Sequence, residues 1–555
     1  MKAIWEQHYY IWGQGLAVST LVAAAPTAAL LYLLAARRKP AWAAGLAGLG
    51  ASLAVAVAGY GMPVKLSLSA AAYGGAFGLF PISWIVFWAI VLYNVTVVTG
   101  RFAALKESLG SMTLDLRLQA ILIAFGLGAF LEGASGFGTP IAVAGAMMAG
   151  LGFSPFYAAA LCLLANTAPV AFGAIGVPIV TLAGVTGLPL DKLSGAVGLL
   201  CAPIALILPG YLIATMGGVA SALEVWPALA VAGLSFASVQ YLVSNFVSVQ
   251  LTAILSAISA LGALIALLRV WRPQTKALQA SRSARARPGP FDRINSPPAP
   301  DATVYRRREA LAGWMPYGLL VILVLLWGLK RVQSILDVAT FRLPWPGLHN
   351  LILRMPPVLP AASPYPAVFT LNLLSAGGSS CMIAGILAAL LLKMPLRDFA
   401  GVLRATARQL ALPILTIAAV LAMAFVMNYS GATGTLGLAC SRTGAAFPFF
   451  RPFLGWFGVL LTGSDTSSNA LFGALQSITA GRLGVSRILI AAANSSGGVM
   501  GKMVSIQSIA VAAAATGLTV RQQSELLRFT LKHSLILVLL VGLEVVAIAY
   551  WFRIV

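Results

Sequence analysis

Two stretches decide the fold: residues 133–176 read GASGFGTPIAVAGAMMAGLGFSPFYAAALCLLANTAPVAFGAIG, and residues 462–507 read TGSDTSSNALFGALQSITAGRLGVSRILIAAANSSGGVMGKMVSIQ. Each begins with a cluster of small polar residues and continues through an apolar segment to LGFS or LGVS. A second apolar segment then ends at a polar pair, NT at 166–167 or NS at 494–495. Because these features recur in the same order, we interpret the two stretches as copies of one unit.

The composition of the whole chain is that of a membrane protein. Of its 555 residues, 60% are hydrophobic and only 9% are charged, and the mean hydropathy is +0.92. A soluble domain carries about 25% charged residues, which cover its surface. The composition therefore excludes a cytosolic enzyme, a disordered chain and a nucleic-acid-binding protein. Many apolar runs approach the roughly 20 residues that span a bilayer, and they predict about 12 to 14 transmembrane helices.

The net charge of +22 comes largely from basic residues in loops beside apolar segments. Residues 37–39 (RRK) form one such cluster, and the longest basic tract, at 269–312, is also rich in proline and serine. Basic loops are typical of the cytoplasmic side of a membrane, and a Pro/Arg-rich segment cannot form an apolar core. We therefore expect a cytoplasmic linker at 269–312 between two membrane halves, 1–268 and 313–555.

The polar clusters interrupt segments that otherwise have the composition of membrane helices. Backbone inside a bilayer must keep its hydrogen bonds unless it is buried in protein or lines a wet cavity. We therefore predict that each half contains a repeat with a re-entrant helical hairpin, at about 119–185 and about 453–515. The expected fold class is an all-α polytopic membrane protein with two inverted repeats.

Each interruption supplies helix starts inside the bilayer. Residues 139–140 (TP) offer a threonine cap with proline in the first turn, and residues 464–467 offer several more caps. The polar pairs at 166–167 and 494–495 are expected to break the second helix of each repeat. Helix starts carry unpaired N–H groups and partial positive charge. Their convergence predicts a carboxylate site, with nearby hydroxyl and amide groups available for a substrate hydroxyl.

Three charged residues lie in the interrupted segments, where charges are costly enough to indicate function. Lys502 is a candidate partner for a substrate carboxylate. Glu132 and Asp465 are candidates for proton coupling, because burial disfavours an ionised carboxyl group. The alternative is an internal ion pair that only holds the hairpins together. The expected substrate-binding residues are Ser135, Thr139, Asn166, Thr167, Ser464, Thr466, Asn494, Ser495, Lys502 and Gln507.

Four motifs resemble the L-lactate permease family: LEGASGFGTP (131–140), ANTAPVAFGAIGVP (165–178), TGSDTSSNALFG (462–473) and NSSGGVMGKMVSIQSIAVA (494–512). The segment AAYGGAFGLFPISWIVFWAIVLY (71–93) is also similar to that family, so the resemblance covers nearly the whole chain. It implies proton-coupled uptake of L-lactate, and of D-lactate and glycolate, across the bacterial inner membrane. It also implies inverted repeats with re-entrant hairpins, as in the wider ion-transporter group.

Three other functions are open alternatives. GASG at 133–136 matches the serine motif of intramembrane proteases, for which His533 is the histidine in a comparable late segment. A channel could also use broken helices, although two nonidentical repeats suit alternating access better. A carrier for another organic anion, such as a dicarboxylate, is the main alternative, and the single cation Lys502 favours one carboxylate. We expect no cofactor, metal site or nucleic-acid partner, and we leave open a homo-oligomer in the lipid bilayer.

Overall fold

Helices form most of the chain in the computed structural model, which describes residues 4–13, 15–102, 112–113, 115–136, 138–271 and 307–552. Within these ranges, 11 helices are long and apolar enough to cross a membrane, or up to 13 if each bent pair of helices is one span. The fold is thus the predicted polytopic membrane fold. Most of the predicted linker at 269–312 lies outside the described residues, after a helix that ends at Val270 and before one that begins at Arg307.

The α-helices follow one another with mostly short connections. The N-terminal half contains α1 (Leu16–Ala35), α2 (Ala41–Ala54), α3 (Val64–Phe77), α4 (Trp84–Val98), α5 (Leu116–Ala120), α6 (Gly128–Ala134), α7 (Thr139–Gly150), α8 (Pro155–Ala165), α9 (Gly173–Thr186), α10 (Leu190–Glu224), α11 (Trp226–Phe246) and α12 (Thr252–Val270). The C-terminal half contains α13 (Arg307–Gly328), α14 (Lys330–Leu336), α15 (Gly377–Leu391), α16 (Leu396–Ser430), α17 (Ala432–Cys440), α18 (Phe447–Thr462), α19 (Asp465–Arg482), α20 (Arg487–Lys502), α21 (Ile506–Thr516) and α22 (Val520–Ala547). Wider π-helical turns occur at Val55–Gly59, Gly78–Ser83, Ile121–Leu127 and Ile548–Phe552, and 3₁₀ turns occur at Val170–Phe172, Asp337–Ala339 and Ser441–Ala446.

Short strands lie outside the helical bundle, and the all-α prediction did not include them. The described residues contain β1 (Trp5–Glu6), β2 (Thr340–Pro344), β3 (Ile352–Arg354), β4 (Ser363–Pro364) and β5 (Val368–Asn372). β3 pairs in parallel with β1 and antiparallel with β4, and β2 pairs antiparallel with β5. The strands therefore tie the N-terminal segment to residues 337–376, between α14 and α15. We call these residues the outer segment, because one apolar helix, α13, separates them from the basic linker that the sequence predicts to be cytoplasmic.

The two repeat regions fold into corresponding series of helices. In the first, α5, α6 and α7 form a hairpin, followed by α8 and α9; in the second, α18 and α19 form the hairpin, followed by α20 and α21. The connection after each hairpin is also alike. Gly152 and Gly484 have φ angles of 93° and 68°, and Ser154 and Ser486 each cap the next helix. The same local structure at matched positions supports the interpretation as an internal repeat.

Burial separates central from peripheral helices. The stretch from α5 to α6, residues Leu116–Ala134, is completely buried, whereas only 22% of the apolar window in α1 is buried. Large apolar side chains remain exposed at the periphery, such as Leu21 (73%) and Phe246 (74%). Lipid tails are as apolar as leucine side chains, so these exposed faces are suited to contact lipid, whereas α5 and α6 lie in the interior of the protein.

The two repeats pack against each other reciprocally. α7 of the first hairpin lies against α21 of the second repeat, where a Cβ on Gly145 would lie 3.3 Å from Thr516. α19 of the second hairpin lies against α9 of the first repeat, where Gly473 faces Leu182 and Val185. In both contacts, the helix that follows a hairpin tip meets the last helix of the other repeat. This packing brings the two tips together.

Candidate functional site

The first hairpin turns at Gly136 and Gly138, and we call this turn the first tip. Gly136 and Gly138 have φ angles of 61° and 80°, a region that glycine adopts without steric cost. α7 begins at Thr139, so Gly138 and not the predicted threonine occupies the cap position. The side chain of Thr139 lies outside the described residues. Ser135 is buried, and its Oγ donates to a carbonyl of its own helix at 2.9 Å.

The second hairpin turns at Gly463 and Ser464, the second tip. Gly463 has a φ angle of 71°. Ser464 caps α19, because its Oγ accepts a hydrogen bond from the Ser467 backbone N–H at 3.2 Å. The predicted polar cap is therefore present. Asp465 follows in the first turn of α19 and is buried.

The helices after the hairpins are interrupted at different places in the two repeats. α8 ends at Ala165, and a bend of 66° separates it from the helix that follows, as expected from the polar pair at 166–167. α20, in contrast, continues without a break to Lys502, so the break expected at 494–495 is wrong. The chain leaves the helix after Lys502 instead, and Ser505 caps α21.

α20 stays helical because its polar side chains are paired with α19. Asn494 Nδ2 donates to Asn469 Oδ1 at 2.8 Å, and Gln476 Nε2 donates to Asn494 Oδ1 at 2.6 Å. Ser495 Oγ donates to Asp465 Oδ2 at 2.5 Å. Such side chains disfavour helix when they bond to nearby backbone, and here they bond to the neighbouring helix. We call these five buried residues the α19–α20 network.

An ion pair joins the two repeats beside the tips. Lys502 Nζ, at the end of α20, lies 3.1 Å from Glu132 Oε1 in α6. The two side chains are 11% and 3% exposed. Glu132 Oε2 has no hydrogen-bond partner within the described part of the chain. One oxygen of this carboxylate is thus bound to the lysine, and the other is available to a proton or a ligand.

A cavity of about 250 Å³, the central cavity, lies between the two tips. The N-terminal ends of α7, α19 and α21 all contribute to its lining. Helix starts carry partial positive charge, so together with the lysine they favour an anion in this space. On one side the lining extends to Ala41 and Trp42, which follow the basic residues 37–39. The predicted residues in the lining are Glu132, Ser464, Asp465, Thr466, Lys502 and Gln507.

Other predicted side chains do not line the central cavity. The hydroxyls of Ser135 and Thr167 donate to carbonyls in the last turns of the helices that precede them, α6 and α8. Asn494 and Ser495 belong to the α19–α20 network behind the second tip. Asn166 is 3% exposed, and neither polar atom of its side chain has a partner among the described residues. These residues shape the surroundings of the cavity rather than its wall.

Several lining residues were absent from the prediction. Ser508 directly follows a predicted residue, so the helix-start argument could have included it. Trp42 and Thr416 come from α2 and α16, outside the repeats, and no motif marks them. Gly173 borders Glu132, and a Cβ on that glycine would lie 2.7 Å from the carboxylate oxygen Oε1. A side chain at 173 would therefore displace the carboxylate from its lysine partner.

Comparison with known proteins places the chain in a family. The sequence model described as "L-lactate permease" matches residues 19–552. The chain belongs to the L-lactate permease family. Among its relatives, the L-lactate permease of Bacillus subtilis (strain 168) is 44% identical over 97% of this chain and 97% of its own length. The glycolate permease GlcA of Escherichia coli (strain K12) is 44% identical over 99% of this chain and 98% of its own length.

Among solved structures, the YdaH transporter of Alcanivorax borkumensis aligns with 86% of this chain and 87% of its own, at 15% identity and a TM-score of 0.47. Family membership and the apolar helices make this permease a multi-pass bacterial membrane transporter.

The groups needed by the protease alternative are bonded elsewhere: Ser135 Oγ to the Leu131 carbonyl, and His533 Nδ1 to the Tyr211 hydroxyl.

Proposed function

We propose that this permease takes up L-lactate and glycolate together with a proton, and that the substrate carboxylate binds in the central cavity. The observation that carries the proposal is the 3.1 Å contact between Lys502 and Glu132 at a cavity reached by three helix N-termini. Such a site offers a cation for the anion and a carboxylate for the proton. The names of the two relatives, an L-lactate permease and a glycolate permease, support 2-hydroxymonocarboxylates as the substrate class.

The lining of the central cavity suits one carboxylate. Among the described residues in the lining, Lys502 is the only lysine or arginine, and this favours a monocarboxylate over a dicarboxylate. The N–H groups at the starts of α19 and α21 can donate to the same carboxylate. The hydroxyls of Ser464, Thr466 and Ser508 and the amide of Gln507 are available for the 2-hydroxyl group of the substrate.

The ion pair gives a physical reason for proton and anion to bind together. While Glu132 is ionised, Lys502 is already paired, and a substrate carboxylate would be repelled by the glutamate. Protonation of Glu132 releases the lysine for the substrate, so that no buried charge is left unpaired. Asp465 is a second proton candidate, because its Oδ2 accepts from Ser495 while its Oδ1 has no partner within the described chain.

The distribution of basic residues supports opposite orientations for the two hairpins. Cytoplasmic loops are rich in lysine and arginine, so the end that contains residues 37–39 is taken as cytoplasmic. The first hairpin follows α4, whose end is marked by the basic residue Arg101. The second hairpin begins and ends at the opposite end, because Arg482 of α19 donates to the Pro357 carbonyl of the outer segment at 2.7 Å. Inverted repeats of this kind support alternating access, and here the central cavity extends toward the cytoplasmic end at Trp42.

Transport by the purified permease in proteoliposomes tests the proposal. Labelled L-lactate, D-lactate, glycolate and a dicarboxylate are offered under an imposed pH gradient, acid outside. We expect the 2-hydroxymonocarboxylates to accumulate, and unlabelled substrate inside to accelerate entry of the label, which a channel would not show. Accumulation that ignores the pH gradient, or a preference for the dicarboxylate, would contradict the proposal.

Two lysine variants, one at Lys502 and one at an exposed control position, are compared in the same assay. A hydrogen bond to a charged group contributes about 1.5–3 kcal/mol, so Lys502→Ala should reduce the rate at low substrate concentration roughly tenfold or more. Lys532→Ala removes an exposed lysine of α22 and should transport as the wild type does. Wild-type uptake by Lys502→Ala, at an equal amount of protein in the membrane, would exclude the proposed role.

A further inference from the structure

A second cavity lies at the other end of the helix pair that borders the central cavity. The central cavity touches Pro178 of α9 and Ser467 of α19, whereas the second touches Val185 of α9 and Ala474 of α19. Seven residues of helix separate the two positions on each helix, which corresponds to about 10 Å. We call this second space, of about 70 Å³, the outer cavity, because the outer segment closes it. It holds several water molecules by volume, and so a small carboxylate.

The outer cavity is lined by cations without a matching carboxylate. Arg354 of β3 and Arg487 at the start of α20 line it, and its described lining contains no aspartate or glutamate. Arg354 Nε is buried and has no hydrogen-bond partner in the described chain, and its guanidinium lies over the Tyr365 ring at 4.6 Å. Arg117, in contrast, is held by Asp115 and Glu224 at 2.8 and 2.6 Å. The outer cavity is thus positively charged, and Arg354 has donors to spare.

Polar groups complete the lining of the outer cavity. Gln7, Asn428, Ser477 and Thr186 come from four different parts of the chain and all reach it. Gln7 and Asn428 are themselves held in place, since Gln7 Nε2 donates to the Asn428 carbonyl at 2.9 Å and the Asn428 side chain donates to the Val185 carbonyl at 3.4 Å. Hydroxyl and amide groups beside two guanidinium groups suit an anion that also carries a hydroxyl.

A tight seam between α9 and α19 separates the two cavities. Asn469 Nδ2 donates to the Pro178 carbonyl at 3.1 Å. One turn further out, a Cβ on Gly473 would lie 2.6 Å from Leu182 Cδ1 and 3.3 Å from a methyl group of Val185. There is no room for a substrate to pass along this seam in the present conformation. The central cavity extends toward the cytoplasmic end, and the outer cavity lies on the opposite side of the closed seam.

We propose that the outer cavity is the site where a small 2-hydroxycarboxylate from outside is first held, by Arg354 and Arg487, before the seam opens toward Lys502. The site rests on the proposed function, because it is useful only if the substrate is an anion that crosses in this direction. Two guanidinium groups attract anions from solution and offer paired donors to a carboxylate. The outer cavity thus contributes to the affinity for external substrate, and the central cavity then binds the substrate together with a proton.

Uptake from outside and exchange from inside distinguish this role from a purely structural one. We expect the KM for external lactate to rise about five- to tenfold in the Arg354→Gln/Arg487→Gln double variant, since hydrogen bonds to charged groups at a partly solvated site lose part of their strength. The maximal rate and the KM measured from the cytoplasmic side in inside-out vesicles should stay within about twofold of wild type. Arg342→Gln, an exposed arginine in β2 of the same outer segment, is the matched control.

Conservative variants and added salt sharpen the test. Arg354→Lys keeps the charge and should retain most of the affinity for external lactate. High salt screens the attraction between the guanidinium groups and the anion, so it should weaken this affinity less in the double variant than in wild type. An external KM that is unchanged in the double variant overturns the outer site while leaving the proposed function intact. Equal losses on both sides of the membrane, with Arg354→Lys as defective as Arg354→Gln, also overturn it, because they indicate a structural arginine. A wild-type protein that carries no lactate would instead overturn the proposed function itself.

Discussion

Replacing Glu132 by glutamine separates proton binding from anion binding. Glutamine keeps nearly the shape of glutamate but cannot ionise, so Lys502, which lies 3.1 Å from the native carboxylate, would lack an anionic partner at every pH. A substrate carboxylate would then meet the lysine without competition. Net uptake of lactate should lose its dependence on the pH gradient, whereas exchange of labelled for unlabelled lactate should continue.

The size of the effect follows from the repulsion between two carboxylates that share one lysine. At a separation of ~5 Å and an effective dielectric constant of ~20, this repulsion is about 3 kcal/mol. That energy corresponds to on the order of a hundredfold in affinity. Lactate should therefore bind far more weakly while Glu132 is ionised, and the KM of the wild type should rise as the external pH rises. In Glu132→Gln the KM should be independent of pH.

The assay is the initial rate of lactate uptake into proteoliposomes over a range of external pH. Glu525→Gln, at an exposed glutamate that pairs with Arg521, is the matched control and should keep the wild-type pH dependence. Glu132→Gln leaves Lys502 as an unpaired buried charge, which destabilises the fold by about 3–5 kcal/mol. The double variant Glu132→Gln/Lys502→Met removes that charge as well. It should therefore fold but should not take up lactate. A Glu132→Gln permease that still accumulates lactate in proportion to the pH gradient would show that Glu132 does not carry the proton.

Two further substitutions test the packing behind the central cavity. A Cβ on Gly497 would overlap the Pro452 carbonyl of α18, so Gly497→Ala should reduce the amount of folded permease recovered by size-exclusion chromatography. Gly210→Ala is the control: a Cβ on Gly210 has open space around it, so its yield should equal that of wild type. Equal yields of the two variants would contradict the close contact between α20 and α18. Ser495→Ala removes the hydrogen bond from Ser495 to Asp465 and should lower the free energy of unfolding by about 1.5–3 kcal/mol. The loss should appear as a lower denaturation temperature. An unchanged temperature would show that the α19–α20 network does not hold the second tip.

The tips were predictable from sequence because their cause is local. Gly136, Gly138 and Gly463 adopt positive φ angles, and small polar residues beside them cannot continue a helix in lipid without partners. The order of these features in the two halves also predicted matching hairpins. A repeat is visible in sequence because each copy must satisfy the same backbone constraints, wherever it lies in the membrane.

The pairing of side chains could not be read from the sequence. Asn494 and Ser495 have the residue types that break helices, yet α20 continues through them because Asn469, Gln476 and Asp465 of α19 bond to them. Those bonds depend on how two helices are rotated against each other. A single sequence gives the residue types but not this rotation.

The strands and the outer arginines were missed for a related reason. β1 pairs with β3 across most of the chain length, and Arg354 and Arg487 meet only when the outer segment folds over α19. Neither arrangement has a local signal. The sequence marked this region only by its prolines and by its position between apolar segments.

Measuring the protons taken up when lactate binds is the decisive experiment on the exchange of partners at Lys502. Purified permease, near neutral pH, is titrated with L-lactate by calorimetry in buffers of different ionisation enthalpy, which reports the protons bound per lactate. We expect the wild type to take up about one proton for each lactate bound and Glu132→Gln to take up none. Lactate binding to the wild type without any proton uptake would contradict the exchange of partners at Lys502.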